Sequence, residues 1–304
     1  MGKPELLAPC GNMKTLRAAV QSGADAVYLG ADKFSARAFA GNFAAAELRE
    51  AVKYAGDSGV RVYLAINTLM TDRELGEAMD VVGAAYDAGV AAFIVQDLGL
   101  ARMIRRELPE VRLHASTQMT ARSLADVEVL GELGFRRVVL ARELSRERIG
   151  EIASGTDMEL EVFVHGALCS SYSGQCLMSS FIGGRSANRG KCAQPCRLPY
   201  KSGRRSGVLL SLKDNCLVDY IGELAAMGVA SLKIEGRMKG EGYVRAVVSA
   251  YRKVLGGKEL TAKERAAMLK AFDRGGYTDG YYTGELGGMY MDELKNPYGG
   301  GGRD

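Results

Sequence analysis

Residues 23–30 of this chain read GADAVYLG, and this pattern decides the fold because it returns along the sequence. The other copies are GVRVYLAIN at 59–67, GVAAFIVQD at 89–97, GFRRVVL at 134–140 and GVASLKIEG at 228–236. The glycine of each copy suits the left-handed turn that ends a helix. The apolar run that follows suits a parallel strand buried on both faces. The repeat therefore predicts helices that alternate with parallel strands.

Amphipathic helices are predicted between these strands, near residues 13–22, 44–57, 73–88, 98–107, 121–133 and 145–153. Three further strands fit residues 5–8, 112–115 and 159–164, so eight strands begin near positions 5, 26, 61, 92, 112, 137, 159 and 231. Eight such β/α units close a barrel. An open doubly wound sheet is the alternative, but no G-x-G-x-x-G signature of a dinucleotide site follows the first strand.

We therefore predict an α/β fold, a (β/α)8 TIM-barrel-like architecture with a cysteine-rich insert after the seventh strand and a short C-terminal extension. The predicted units are seven β/α units over 1–164, a cysteine-rich basic insert over 165–210, the closing strand and helices over 211–256, and a C-terminal helix with a Gly/Tyr-rich tail over 257–304. The composition, with 47% hydrophobic and 25% charged residues, is that of a soluble globular protein.

The first residues lack the apolar core of a signal peptide, and the uncharged stretch 162–184 is too polar to cross a bilayer. We therefore expect a cytoplasmic protein with no membrane partner. In that compartment, cysteines are more often metal ligands or core residues than disulfides.

Charge is concentrated in one segment. Residues 162–213 contain no Asp or Glu, whereas they contain eight basic residues, so the rest of a chain with a net charge of +4 is acidic. A basic insert on an acidic body favours a site for a polyanion. The alternative is a solvated loop whose arginines pair with acids elsewhere. The eight residues are Arg185, Arg189, Lys191, Arg197, Lys201, Arg204, Arg205 and Lys213.

Four of the six cysteines lie within this insert, as Cys169, Cys176, Cys192 and Cys196 in the spacing C-x6-C-x15-C-x3-C. Structural zinc sites use pairs separated by two to four residues, and only the second pair fits that rule. The wider spacing suits an iron–sulfur cluster, whose cysteines can come from separate turns. Zinc and plain buried cysteines remain the alternatives.

Polar residues follow the predicted strands at their carboxyl ends, where barrels of this kind place their chemistry. Any one of them could be a simple cap, but their recurrence on one rim favours a polar pocket. They are Asn67, Gln96, Asp97, Ser116, Gln118, Arg142, Glu143, His165, Glu235 and Arg237. His165 is the candidate for acid–base work, although a structural histidine is the alternative.

The segment SLKIEGR at 231–237 places a lysine inside a buried strand, which is costly unless that lysine meets a polar centre. Strand alternation puts Lys233, Glu235 and Arg237 on one face, where they could hold an anionic small molecule. The alternative is a buried ion-pair network that closes the barrel.

Several of these segments together resemble the collagenase-like peptidase U32 family over nearly the whole chain. They are ELLAPCGN at 5–12, GADAVY at 23–28, the cysteine insert at 165–196, LKIEGR at 232–237 and FDRGGY at 272–277. The resemblance implies a barrel-like fold, a 4Fe–4S cluster and the oxygen-independent hydroxylation of tRNA uridine, ribosomal RNA cytidine or a ubiquinone precursor. The RNA-modifying members depend on prephenate.

By this resemblance, Cys169, Cys176, Cys192 and Cys196 match the cluster ligands, with Cys216 in reserve for Cys196. Longer relatives add a small C-terminal domain, whereas this sequence ends in a Gly/Tyr-rich tail. Short members can work beside a paralogous subunit, which is therefore an expected partner.

The expected function is hydroxylation of an RNA base, foremost a tRNA uridine. His165 and Glu235 are expected to transfer protons. Lys233, counted with them as catalytic, and Arg237 are expected to bind an acidic co-substrate such as prephenate. Further substrate contacts are assigned to Asn67, Gln118, Arg142 and Lys213. RNA contacts are assigned to Arg185, Arg189, Lys191, Arg197, Arg204 and Arg205.

Three alternatives to this function stay open. The first is a peptidase, although no H-E-x-x-H, G-x-S-x-G or papain-like signature occurs. A Cys169–His165 dyad is conceivable, but a cluster ligand could not also be a free nucleophile. The second is a non-catalytic Fe–S subunit that positions RNA or a partner enzyme. The third is hydroxylation of a quinone precursor, against which the basic insert argues.

Overall fold

Eight parallel strands form a closed barrel at the centre of the structure, a computed structural model that describes residues 2–36, 42–272 and 274–291. The first seven are β1 (Glu5–Pro9), β2 (Ala26–Gly30), β3 (Arg61–Ile66), β4 (Ala92–Val95), β5 (Leu113–Ala115), β6 (Arg137–Val139) and β7 (Glu159–Gly166). They pair in chain order, and the closing strand Ser231–Ile234 pairs with both β1 and β7. The predicted barrel and its eight strands are confirmed.

The six predicted barrel helices are also present, as α1 (Met13–Gln21), α2 (Ala45–Gly56), α3 (Asp72–Asp87), α4 (Leu98–Glu107), α5 (Leu124–Glu132) and α6 (Arg146–Ser154). The glycine of every repeat follows the end of a helix with a φ between 71° and 90°, as in Gly59 and Gly134. Only glycine adopts this conformation without strain, so the repeat marks where each helix stops and each strand begins.

The remaining elements lie in the insert and after it. The insert contains α7 (Met178–Gly183) and a hairpin of Tyr200–Ser202 with Arg205–Gly207. The later helices are α8 (Ile221–Ala226), α9 (Glu241–Leu255), α10 (Ala262–Ala271) and α11 (Gly280–Thr283). A short strand, Asp214–Cys216, pairs antiparallel with β7 and parallel with Tyr277–Thr278. The predicted tail at 292–304 lies outside the described residues.

The barrel interior combines an apolar layer with buried charges. Leu7, Tyr28 and Ile94 belong to the apolar layer. The charges form a chain of ion pairs in which Arg137 Nη1 lies 2.6 Å from Glu5 Oε1 and 3.3 Å from Glu161 Oε2, and Lys233 Nζ lies 2.7 Å from Glu161 Oε1. Each of these buried charges therefore has an oppositely charged partner, which offsets the cost of removing it from water. Among the described residues, no helix is long and apolar enough to cross a lipid bilayer.

Candidate functional site

The cysteine-rich insert is fastened across the carboxyl ends of the barrel strands. Thr120 Oγ1 donates to the Ser173 carbonyl oxygen at 2.7 Å, and Ser173 Oγ donates to Glu143 Oε1 at 2.9 Å. The Arg142 backbone N–H donates to Ser173 Oγ at 3.2 Å. Ser173 is therefore the point where the insert joins the barrel mouth beside β6.

Arg189 makes a second attachment on another side of the mouth. Its guanidinium donates to the Leu69 carbonyl oxygen at 2.9 Å and pairs with the Glu74 carboxylate at the start of α3. Hydrogen bonds from Arg189 and from Thr71 lower the pKa of Glu74 to about 2, so this carboxylate stays ionised and the attachment persists at neutral pH.

Arg197 is buried inside the insert, with 3% of its surface exposed. Its guanidinium donates to Ser211 Oγ at 2.6 Å and to the Leu168 carbonyl oxygen at 2.9 Å, and also to the carbonyl of Leu212. These bonds hold the two ends of the insert together. The structure therefore does not support the expected contact between Arg197 and RNA, because the guanidinium is occupied and shielded from solvent.

The other predicted RNA contacts lie nearer the surface. Lys191, Arg204 and Arg205 are exposed. Arg185 is also exposed, and its Nε donates to the Lys191 carbonyl oxygen at 3.0 Å. Lys213 is half-buried, and its Nζ donates to the Gly288 carbonyl oxygen at 2.9 Å, away from this group. The insert thus presents several cations to solvent.

The four insert cysteines share one neighbourhood. All are free thiols; Cys192 is exposed, and Cys169, Cys176 and Cys196 are half-buried. Burial raises the pKa of the Cys176 and Cys196 thiols, and the charges of Cys169 and Cys192 raise both of them further. Because such influence acts over short distances, these four thiols share one neighbourhood in the insert.

Polar groups surround the exposed thiol of Cys192. The backbone N–H of Gln194 donates to its Sγ at 3.3 Å, and Ser179 Oγ lies 3.8 Å from the same atom. Hydrogen-bond donors of this kind commonly surround the ligands of metal centres.

Thiols are the donors that iron–sulfur clusters use. Among the described residues, no group of three or more His, Cys, Asp or Glu side chains could hold a metal ion. A 4Fe–4S cluster binds one thiolate at each iron, so its cysteines stand farther apart than the ligands of a single zinc ion. The insert supplies four thiols of this donor type, in a stretch over residues 162–213 that has no carboxylate.

His165 and Cys216 lie away from this group, between the barrel and α9. The His165 ring is 2% exposed, its Nδ1 is 3.3 Å from Tyr251 Oη, and its centroid is 5.1 Å from that of Tyr277. Burial lowers the pKa of His165 to about 3, so the ring is neutral at physiological pH. The Cys216 thiol bonds to the same Tyr251. The geometry thus supports neither proton transfer by His165 nor ligation by Cys216.

An arginine–carboxylate pair lies at the barrel mouth. Arg142 Nη2 is 3.2 Å from Glu235 Oε2, and the Arg142 guanidinium stacks 4.1 Å from the Phe163 ring centroid. Within the part of the chain that the structure describes, Arg142 Nε and Glu143 Oε2 are buried without a hydrogen-bond partner. Buried polar atoms are normally satisfied, so these two atoms indicate an incomplete site that water or a ligand would complete.

The other predicted mouth residues form a linked polar rim. Asn67 Nδ2 donates to Ser116 Oγ at 3.2 Å, and Gln118 Nε2 donates to the Asn67 carbonyl oxygen at 3.3 Å. Arg237 is 5% exposed and donates to Ser35 Oγ at 2.7 Å. The structure therefore brings Asn67, Gln118, Arg142, Glu235 and Arg237 to one end of the barrel.

Lys233 lies deeper in the barrel than this rim. Besides its ion pair with Glu161, its Nζ lies 4.5 Å from the Tyr28 ring centroid. Burial lowers the pKa of Lys233, and the charge of Glu161 opposes that shift. The buried ion-pair network considered for Lys233 is therefore present. The charges of Glu235 and Arg237 also act on Lys233, and the Arg237 guanidinium lies 5.8 Å from the centroid of the same Tyr28 ring.

Two further residues of the site escaped the sequence analysis. Glu161 holds Lys233, and an acidic residue within a buried strand was the available signal. Lys239 is half-buried, with its Nζ 2.8 Å from the Phe272 ring centroid, and burial lowers its pKa to about 8. No local pattern marks Lys239, because the partner that shields it lies 33 positions along the chain.

Comparison with known proteins gives consistent similarities. The sequence model of peptidase family U32 matches residues 11–291. A 23S rRNA 5-hydroxycytidine synthase of Escherichia coli is 40% identical over 88% of this chain and 41% of the relative. The tRNA hydroxylation protein P1 of Bacillus subtilis is 40% identical over 83% of this chain and 63% of the relative. The chain therefore spans less than two thirds of either relative.

A third relative carries a different name. The collagenase of Porphyromonas gingivalis is 32% identical over 98% of this chain and 77% of the relative. Among solved structures, a U32 peptidase matches with a TM-score of 0.54 at 15% identity, covering 78% of this chain and 95% of the other. That structural likeness concerns the fold alone.

Proposed function

Because this chain belongs to peptidase family U32, we propose that it hydroxylates a base in RNA without molecular oxygen, using a 4Fe–4S cluster. The proposed ligands are Cys169, Cys176, Cys192 and Cys196. The foremost substrate is a tRNA uridine, and the proposed co-substrate is an acid such as prephenate. Relatives named for hydroxylation of tRNA and of 23S rRNA support the reaction class. A cytoplasmic location and a paralogous partner subunit belong to the same proposal.

One observation carries the proposal: the four insert thiols share a neighbourhood on a segment fastened to the barrel mouth. A peptidase needs one nucleophile and a base, so four thiols together would have no role in it. When bound, an iron–sulfur cluster supplies one-electron chemistry. The insert would hold that chemistry beside the mouth, where the polar rim lies.

The barrel supplies the groups that would bind and orient the reactants. Arg142 and Arg237 present guanidinium groups at the mouth, which suits the carboxylates of an acidic co-substrate. Glu235 lies beside Arg142 and could hold a proton on its carboxylate at that position. The amides of Asn67 and Gln118 offer donors and acceptors for the edge of a base.

The insert would bind the RNA backbone. Lys191, Arg204 and Arg205 are exposed in a segment that has no acidic residue, so phosphates would meet no repulsion there. Each phosphate contact releases counterions and adds to affinity in a salt-dependent way. A base can reach a barrel interior only when it is unpaired or flipped, so we propose a single-stranded target.

Mass spectrometry of RNA nucleosides tests this proposal. A strain that lacks this gene should lose a nucleoside one oxygen atom heavier than its parent, and the wild-type gene should restore it. Arg142→Gln should fail to restore it, whereas Arg148→Gln should succeed, because Arg148 makes only an exposed ion pair with Glu151. Identical nucleosides with and without the gene would contradict the proposal.

The relative named collagenase makes peptidase activity the second candidate. A Cys169 nucleophile would need a base, but the groups that act on Cys176 and Cys196 are other thiols, Arg197, the Ser170 hydroxyl and the Met178 backbone, and His165 Nδ1 faces Tyr251. Hydrolysis of gelatin by purified protein, measured for wild type and Cys169→Ser, separates the two functions. Activity that survives in both proteins would favour a peptidase with another nucleophile.

A further inference from the structure

An apolar face of the insert is left open to solvent in α7 (Met178–Gly183). Phe181 is 85% exposed, Ile182 is 61% exposed and Leu177, just before the helix, is 56% exposed. Three neighbouring apolar side chains at this exposure are uncommon in a soluble protein and mark an interaction site.

The geometry of α7 turns this face away from the cysteines. Ser179 is buried, and its Oγ lies 3.8 Å from Cys192 Sγ and accepts from the Ala193 backbone N–H at 3.1 Å. Leu177 and Phe181 are four residues apart and therefore share a side of the helix, which is not the side of Ser179. One side of α7 thus supports the cysteine neighbourhood, and another faces outward.

The charges around this apolar face indicate which class of molecule binds it. Arg185 and Lys191 are exposed just beyond α7, and the Arg185 Nε bond to the Lys191 carbonyl oxygen keeps the two segments together. No acidic residue occurs between 162 and 213. A second exposed aromatic ring in the insert, Tyr172, stacks 5.1 Å from the Arg122 guanidinium. Aromatic and apolar side chains among cations are the recognition surface for single-stranded nucleic acid.

We propose that Phe181, flanked by Leu177 and Ile182, stacks against an unpaired base next to the target nucleotide, while Lys191 binds the adjoining phosphate. This inference rests on the proposed function and specifies its substrate further, as RNA that is single-stranded on the side of the target that meets α7. Only 7% of the residues are aromatic, and the structure leaves the Phe181 ring exposed to solvent.

The test measures binding of a labelled oligouridylate of about twelve nucleotides by the anaerobically purified full chain, using fluorescence anisotropy. Base stacking on one aromatic ring is worth roughly 1–3 kcal/mol, so Phe181→Ala should weaken binding about tenfold and Phe181→Tyr should restore it. Lys191→Gln should reduce the slope of log Kd against log salt concentration by about the contribution of one phosphate contact. Phe181→Ala should leave that slope unchanged. Val129→Ala, an exposed apolar control on α5, should bind like wild type.

The outcomes separate this inference from the proposed function. Equal binding by wild type and Phe181→Ala, with the nucleoside still modified, would overturn the stacking role and leave the hydroxylation intact. If Phe181→Ala binds the oligouridylate like wild type but has a changed sedimentation coefficient, α7 contacts another protein chain. That result would also overturn the stacking role. Wild-type protein that neither binds nor modifies RNA would contradict the proposed function itself. Circular dichroism and iron content confirm that each variant is folded and loaded.

Discussion

Gly174 in the insert lies directly against the backbone of Gln118 at the barrel mouth. A Cβ atom at Gly174 would stand 2.2 Å from the Gln118 carbonyl oxygen and 2.7 Å from its Cα. Gly174 also has a φ of 78°, in the left-handed region that favours glycine. Since Gln118 sits in the short helix Thr117–Met119 that follows β5, this contact sets how closely the cysteine segment approaches the strand ends.

Replacement of Gly174 by alanine should therefore displace the insert. The backbone conformation alone costs about 1 kcal/mol for a residue with a Cβ, and the contact with Gln118 adds to it. We expect less iron and acid-labile sulfide per chain after anaerobic purification, and a loss of RNA modification. Gly183→Ala is the matched control, because nothing lies within 4 Å of its added Cβ. Equal iron content in both variants would show that the close contact does not position the cysteines.

Removal of the Arg142 guanidinium should reduce activity without unfolding the protein. Arg142→Gln removes the 3.2 Å ion pair with the buried Glu235 carboxylate and takes a charge from the mouth. Loss of one such preorganised group typically lowers the rate by about 100-fold or more. We expect a similar fall in turnover with purified RNA, and a loss of stability of roughly 1–3 kcal/mol in urea. Turnover within twofold of wild type would show that Arg142 is not a functional residue of the site.

The barrel itself was predictable from sequence because its signals are local. A glycine after each helix and an apolar run in each strand need no information from distant parts of the chain, and the structure has both at the predicted positions, as at Gly23 and β2. The four insert cysteines lie within one segment, residues 169–196, so their candidacy as a set is also a local signal, and their role as cluster ligands stays a prediction.

The direction of His165 was not predictable, because an irregular pairing decides it. Lys233 pairs with Phe163, and the next residue, Ile234, pairs with His165, so Val164 is skipped. Such a bulge reverses the alternation of side chains after it. Glu161 and Phe163 therefore face Lys233 inside the barrel, whereas His165 faces the tyrosines of α9. Strand alternation assumes regular pairing and therefore gives no guide to the direction of His165.

The ion pair between Lys233 and Glu161 predicts a specific pattern of stability. Lys233→Met leaves a buried carboxylate that keeps only its longer contact to Arg137, which should cost about 3–5 kcal/mol in urea unfolding. Glu161→Gln should be costly as well. The double variant should be more stable than the sum of the single losses implies, by about 1–3 kcal/mol.

The same double variant tests the catalytic assignment of Lys233. Because it removes the buried charge together with its partner, it should stay folded. If Lys233 binds the acidic co-substrate, this folded variant should not modify RNA. Full modification of RNA by the double variant would show that Lys233 is not a catalytic residue and has a structural role.

The buried His165 predicts sensitivity to acid. Its pKa is about 3 in the folded protein against 6.5 for a free side chain, so the unfolded chain binds more protons between those values. Stability should therefore fall as the pH drops below 6.5, by about 2 kcal/mol at pH 5 from this group. His165→Gln cannot titrate and should lose about that much less between pH 7 and pH 5 in urea titrations. Parallel curves for the two proteins would show that the ring is not neutral and buried.

The most direct test of the central claim is the acid-labile sulfide and iron content of anaerobically purified protein, read with its electron paramagnetic resonance spectrum after reduction. We predict about four irons and four sulfides per chain in wild type and in Cys216→Ser, with a strong loss in each of Cys169→Ser, Cys176→Ser, Cys192→Ser and Cys196→Ser. Wild-type protein without sulfide, or a cluster that survives in all four variants and disappears in Cys216→Ser, would contradict the account.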